Sequence, residues 1–314
     1  MPIVTIPDAQ RLGIPNGRPV NVRTKPRRSD HTSTYPAMSD ELSRSRKTAS
    51  QRDEEPEESA ADRARADVGI VAALKPELDP LLSRCDRMRK YMGGEFVFRG
   101  GFLRDIRIAF VESGVGGERA RRATHAMLDA HQPEWLLSIG FAGGLTDESR
   151  IGDVIVANRV VPANAAAPAD DAGLKIDFKM QSDPKRGLYV GRLATARHIV
   201  HTVAEKREIH QRTGAIAVDM ESLDVAEVCR ERQVKFLSVR GVTDDCSADL
   251  PSEVLSVLGG TGSIRAGAVV GALWKRPGSY RDLWRLRQNA NVAGERMALF
   301  LVSLLRQMIE PKSW

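Results

Sequence analysis

Beyond about residue 66 the apolar positions of this chain gather into short continuous runs separated by amphipathic stretches; before that point they are too sparse to form a pattern. Such runs, bounded by glycine, proline or acidic residues, predict strands buried on both faces of a sheet. They fall at residues 68–74, 95–98, 106–112, 135–140, 151–161, 187–194, 215–218 and 236–242, with a bend expected at Gly100 and Gly101. Helical stretches lie between them. Lys75-Pro76-Glu77 turns the first run into a helix, with proline in a first turn where its missing N–H costs little. A glycine-rich turn at 113–120 opens an amphipathic helix ending near His131, and 196–213 reads as a polar helix. After Glu221, the residues Leu223, Val225, Ala226, Val228 and Cys229 form one apolar stripe, while Glu227, Arg230, Glu231 and Arg232 face outward. A last helix carries Val292, Met297, Phe300, Leu301, Leu304, Leu305 and Met308. Strands alternating with helices in this way predict an α/β domain.

Composition narrows the class. A chain of 314 residues with 42% hydrophobic and 28% charged positions can bury a substantial core. Residues 1–66 cannot share it. They are rich in Arg, Ser, Pro, Asp and Glu, and the opposed blocks RTKPRRSD and QRDEEPEES bury too little to offset their ordering entropy. They predict a disordered charged tail, with the domain over 67–314 and Met38 as a second start position within the tail. The net charge of +6 favours anionic partners, but no basic run is interleaved with aromatics, so nucleic acid is not an expected partner. Cys85, Cys229 and Cys246 form no CxxC pair and read as free thiols of a reducing compartment. The six histidines lack HExxH spacing, and His198 and His201 have no evident acid partner, so no metal site is expected. The N-terminus lacks the apolar core of a secretory signal, and no run reaches the ~18 apolar residues of a membrane span. The expected location is cytoplasmic.

Candidate chemistry concentrates in residues 214–249, where each strand runs into a carboxylate. The run 215–218 delivers Asp219, Met220 and Glu221; the run 236–242 delivers Thr243, Asp244 and Asp245. Ligands of open α/β sheets bind beyond the carboxyl ends of strands, so two acids there could divide a sugar and a base between them. The purely structural reading makes Glu221 a carboxylate favoured at a helix N-terminus and Asp244 a cap. Glu77, at the start of the first helix, carries the same two readings. The turn SGVGGERA exposes amide donors at a helix start but lacks the dinucleotide-binding spacing. A second glycine loop, GFAGGL at 140–145, ends the strand at 135–140.

AVDMES followed by VRGVTDD resembles the purine nucleoside phosphorylase and uridine phosphorylase superfamily, on its methylthioadenosine/S-adenosylhomocysteine nucleosidase side. The likeness covers about residues 67–250, and the 23-residue separation of Glu221 and Asp244 agrees with it. It implies a three-layer α/β/α sandwich around a mixed, twisted central sheet, and a homo-oligomer, dimer or larger. It implies cleavage of the N-glycosidic bond of a purine, adenosyl-type nucleoside with release of the free base, using no metal or organic cofactor. In those terms Met220 and Glu221 bind ribose, Asp244 protonates the purine, and Glu77 lies near the attacking water. Arg240 sits on the strand leading to Asp244, and Phe141 and Gly143 of the glycine loop lie at the substrate. Donation by Asp244 requires burial or a neighbouring acid to keep its proton, and Asp245 is the nearest in sequence.

The chain departs from that pattern twice. Where relatives carry GSAGGL or GSCGA, Phe141 replaces the serine, and the phosphorylase loop GDPxR is absent because Ala72-Ala73-Leu74-Lys75-Pro76 stands there. Both departures weigh against an ordinary phosphate-using enzyme, with phosphate left open as a co-substrate. An apolar residue in that loop resembles the futalosine hydrolase and hopanoid-associated phosphorylase branches, the latter acting on an adenosine joined to a polycyclic lipid. Phe141 either faces an apolar 5′ group or packs behind the loop. Residues 274–288, WKRPGSYRDLWRLRQ, form a basic amphipathic segment before the final helix, readable as a surface helix or as a peripheral membrane contact. The rivals from another class are a noncatalytic nucleoside-binding module and a membrane-peripheral one.

Overall fold

The computed structural model describes residues 65–165, 173–250 and 279–309, with side chains of the last span from residue 285 onward. The charged tail up to residue 64 with Met38, residues 166–172, and residues 251–278 with the start of the 274–288 segment lie outside the described residues.

Buried runs make the centre of the sheet, as their composition requires. Strands β1 (Val68–Ala72), β4 (Ile106–Glu112), β5 (Trp135–Gly144) and β10 (Lys235–Asp244) lie parallel in the order β4, β1, β5, β10. β10 then pairs antiparallel with β6 (Val154–Pro162), and β6 runs parallel to β8 (Leu188–Thr195). β8 runs parallel to β9 (Ala217–Asp219), which returns antiparallel to Gly143 and Gly144 at the end of β5. Strands β5, β10, β6, β8 and β9 therefore close into a ring, while β3 (Phe96–Leu103) and β2 (Asp86–Gly93) extend the other side as an open antiparallel edge. A two-residue strand, β7 (Leu174–Lys175), pairs with β6.

Helices cover both faces. On one face α1 (Lys75–Leu82) and α5 (Ser279–Met308) bring Leu78, Leu81, Met297 and Leu301 onto Ile70, Leu137 and Val239. On the other, α2 (Gly117–His131) and α4 (Ser222–Glu231) set Ala123, Met127, Val225 and Val228 against Val71, Ala109 and Leu136. This is the three-layer α/β/α sandwich with a mixed sheet. Helix α3 (Val203–Thr213) adds Ile209 to a third cluster with Val161, Ala194 and Val218 beside the ring.

Four local readings differ from expectation. Strand β2 carries no apolar run in DRMRKYMG to mark it as a strand; it pairs through its backbone and stays largely exposed. Gly100 and Gly101 do not bend the chain but pair with Ala109 and Ile108 inside β3. Helix α3 starts at Val203 rather than 196, because Thr202 caps it by accepting from the Glu205 N–H at 3.2 Å. The described part of the 274–288 segment and the final helix form one uninterrupted helix, α5, on which Val292 is 47% exposed rather than packed in the core. Among the described residues no helix is long and apolar enough to cross a membrane.

Candidate active site

The carboxyl end of β5 organises the site, because its glycines leave room where side chains would stand. A methyl group at Gly140 would lie 2.7 Å from Glu77 Oε1, and one at Gly143 would lie 3.0 Å from Asp244 Oδ2. Two carboxylates from opposite neighbours of β5 thus press on the same four-residue stretch. Glu77 arrives from α1, where its Oε2 accepts from the Leu74 N–H at 2.7 Å, satisfying an orphan donor of the helix start. Its Oε1 accepts from the Phe141 N–H at 3.0 Å. Glu77 thus serves the helix start and, with the same carboxylate, reaches the backbone of the glycine loop. Burial pushes its carboxyl above the usual range, opposed by the N–H groups of Leu74, Phe141 and Ala73 and by the charge of Arg240.

Glu221 follows β9 and stands at the N-cap of α4. Its Oε1 accepts from the Gly116 N–H at 2.8 Å, a contact joining the AVDMES motif to the SGVGG turn. Gly116 holds φ at +102° with ψ at 148°, a conformation essentially reserved for glycine, and so can aim its amide this way. Burial pushes Glu221 up to about 8, helped by the negative charges of Asp219 and Glu77 and opposed by the Gly116 N–H and Arg240. Glu77 and Glu221 therefore feel each other electrostatically, and one proton on the pair relieves the repulsion.

Asp244 reaches the site through a bulge. In the β5–β10 ladder Val242 pairs with Ala142 and Asp244 with Gly143, so Thr243 is an extra residue that re-aims the strand end. The Asp244 Oδ1 accepts from Thr243 Oγ1 at 3.0 Å, and its Oδ2 accepts from Lys206 Nζ at 2.5 Å. The neighbour expected to help Asp244 was an acid, Asp245. Instead Asp245 turns its carboxylate onto Ser247, with the Ser247 N–H at 2.9 Å, and a buried cation faces Asp244. Lys206 carries no sequence signal of this role, since it lies in a polar stretch 38 residues before its partner.

The remaining expected residues sort into support and lining. Arg240 does not enter the site. Its guanidinium is 2% exposed and binds Asp219 Oδ2, the Ser138 carbonyl and the Ser138 and Ser222 hydroxyls at 2.7–2.9 Å. Asp219 in turn accepts from the Ser222 N–H at 3.1 Å, an orphan donor at the start of α4, so this pair fixes the base on which Glu221 stands. Met220 is half-buried between Asp219 and Glu221. Phe141 is half-buried too; its amide serves Glu77, and a methyl on Gly294 of α5 would lie 3.7 Å from its ring carbons, so part of the aromatic face packs on the helix.

Known proteins carry the same architecture. The chain is 26% identical over 190 residues to a 5′-methylthioadenosine/S-adenosylhomocysteine nucleosidase of Thermotoga maritima, covering 59% of this chain and 87% of that protein. It is likewise 26% identical over 205 residues to one from Tolumonas auensis, covering 59% and 89%. Among solved structures, an S-adenosylhomocysteine nucleosidase from Streptococcus pyogenes in complex with 5-methylthiotubericidin superposes with a TM-score of 0.58 at 20% identity, over 78% of this chain and 98% of that one. A futalosine hydrolase of Helicobacter pylori gives 0.56 at 20% identity, over 77% and 98%. The family profile of the Phosphorylase superfamily matches residues 67–270, well over half of the chain, and this protein belongs to that superfamily.

Proposed function

We propose that this protein cleaves the N-glycosidic bond of a purine, adenosyl-type nucleoside and releases the free base, as its nucleosidase relatives are named for doing. The observation that carries this reading is that Glu77 and Asp244 lie against Gly140 and Gly143 of the same strand end of β5, with Glu221 in electrostatic contact with Glu77. Breaking a ribose–purine bond places positive charge on the sugar and a lone pair on the leaving base, so it needs an acid at the base and a base at the nucleophile. Asp244 protonates the purine. Glu221 grips the ribose hydroxyls beside Met220 and stabilises the sugar as charge develops. Glu77 orients and deprotonates the attacking water. Gly143 lines the substrate's edge of the loop, while Phe141 gives its amide to Glu77 and packs part of its ring on α5. Water fits the nucleophile position better than phosphate, because the Glu77–Glu221 pair keeps a negative charge with one proton on it and repels a phosphate dianion.

The test is a panel of purine nucleosides with adenosyl-type 5′ substituents, with and without phosphate, followed by chromatography of base and sugar. Hydrolysis yields the 5-substituted ribose and needs no phosphate; phosphorolysis yields its 1-phosphate. Asp244→Asn should lower kcat by at least the ~10²–10⁴-fold of a general acid, and a mutant of near-normal rate sinks the assignment. We also propose a homo-oligomer of two or more chains in a reducing, cytoplasmic setting. Ile151 and Val292 support the oligomer: both are more than a third exposed, and both adjoin Gly152. A clean monomer by light scattering would count against it.

A further inference from the structure

We infer that Lys206 is the positioning residue of the leaving-group acid, holding Asp244 in place and sharing with it the proton that the departing base takes up. This rests on the reading of Asp244 as that acid. Lys206 is wholly buried, and its Nζ lies 2.5 Å from Asp244 Oδ2 and 2.7 Å from the Asp245 carbonyl oxygen. Its Cε and the Asp244 carboxylate lie together over Gly143, where a methyl group would stand 3.5 Å from the one and 3.0 Å from the other. The ammonium is thus fitted into the strand end that also seats Glu77. Helix α3 is fixed around it by the Thr202 cap, by Ile209 in the apolar cluster, and by His210 Nδ1 against the Ala215 carbonyl at 2.8 Å.

Packing alone does not call for a cation here. A methionine of similar length would fill the space, and buried ion pairs are often no more stable than apolar replacements of equal volume. What the ammonium adds is a hydrogen-bonded proton on the acid that must give one up. As the bond from C1′ to the base nitrogen breaks, its electron pair stays on the base, which takes a proton from Asp244. The Asp244 carboxylate carries that proton over from the Lys206 ammonium in the same step, leaving a neutral amine. Water delivers its oxygen to C1′ and a proton to Glu77, and solvent exchange returns that proton to Lys206 before the next turnover.

The experiment compares Lys206→Met and Lys206→Arg with the full-length wild type on a purine nucleoside and on 4-nitrophenyl riboside, whose nitrophenolate leaving group departs without a proton. Lys206→Met should lose at least ~10²-fold in kcat on the purine with KM changed little, and at most about tenfold on the nitrophenolate; Lys206→Arg should recover part of the purine rate. Equal losses on both substrates, or none on the purine, overturn the proposal. A wild type that cleaves no purine nucleoside would instead defeat the proposed function. In that event the pair is still tested by melting: Asp244→Asn should lower Tm and added Lys206→Met should restore it, whereas additive losses refute the coupling.

Discussion

Arg240→Met would remove the cation on which the frame of the site depends. The wild-type guanidinium makes hydrogen bonds to Asp219 Oδ2 at 2.9 Å, to the Ser138 and Val239 carbonyls at 2.7 and 3.0 Å, and to the Ser138 and Ser222 hydroxyls at 2.7 and 2.8 Å. After substitution Asp219 keeps Thr195 Oγ1 at 2.8 Å and the Ser222 N–H, but its negative charge stays buried with no counter-charge. Breaking one partner from a buried pair costs about 3–5 kcal/mol. For a folded unit of some 200 residues each kcal/mol lowers Tm by about 2–4 °C, so the fall should be roughly 6–20 °C. Urea unfolding followed by circular dichroism, with a thermal melt at the same pH, measures it. The double variant Arg240→Met/Asp219→Asn should regain much of the loss, because no charge is then stranded. Function should move as well. Arg240 opposes the upward push on both Glu77 and Glu221, which act as carboxylates, so in the folded fraction the acidic limb of activity should shift to higher pH. A loss below about 1 kcal/mol, or a double variant as unstable as the single, refutes the reasoning.

The other predictions follow from the same contacts. Glu221 has a folded value raised from 4.5 to about 8, so its contribution to stability is full below 4.5 and is lost as pH rises through 8. The free protein should therefore weaken across that window, and Glu221→Gln should flatten the slope in denaturant titrations at a series of pH values; an unchanged slope would count against it. Gly143→Ala places a methyl 3.0 Å from Asp244 Oδ2, and a shift of a few tenths of an ångström there should lower kcat about tenfold at near-native Tm. Steady-state kinetics equal to wild type would show that Asp244 tolerates the displacement. Phe141→Ser should cost ~1–3 kcal/mol, less than the full loss of a wholly buried phenylalanine, because its half-buried ring packs on α5. A change in preference for bulky 5′ groups, without loss of stability, would instead put the ring at the substrate.

Much of this molecule is decided by local pattern. Continuous apolar runs can satisfy their burial only at the centre of a sheet, so β1, β4, β5 and β10 were legible as elements, with ends up to four residues off, as was the stripe of α4. Strand β2 was not, because an edge strand is held by its neighbour's backbone and needs no apolar pattern of its own. The candidate acids were legible because strand ends in α/β sheets are where ligands bind, and because AVDMES and VRGVTDD keep a recognisable order and spacing. Partners across the fold were not legible. The Gly116 amide on Glu221, the Thr243 bulge that aims Asp244, and Lys206 behind it lie 105, 1 and 38 residues from the acids they serve. Even the sign of the charge beside Asp244 was beyond the sequence, where the adjacent residue is an acid and the spatial neighbour a lysine. Chain order sets which residue types stand at the strand ends, but the field each one feels is set by burial and by groups that only the closed sheet brings within a few ångströms.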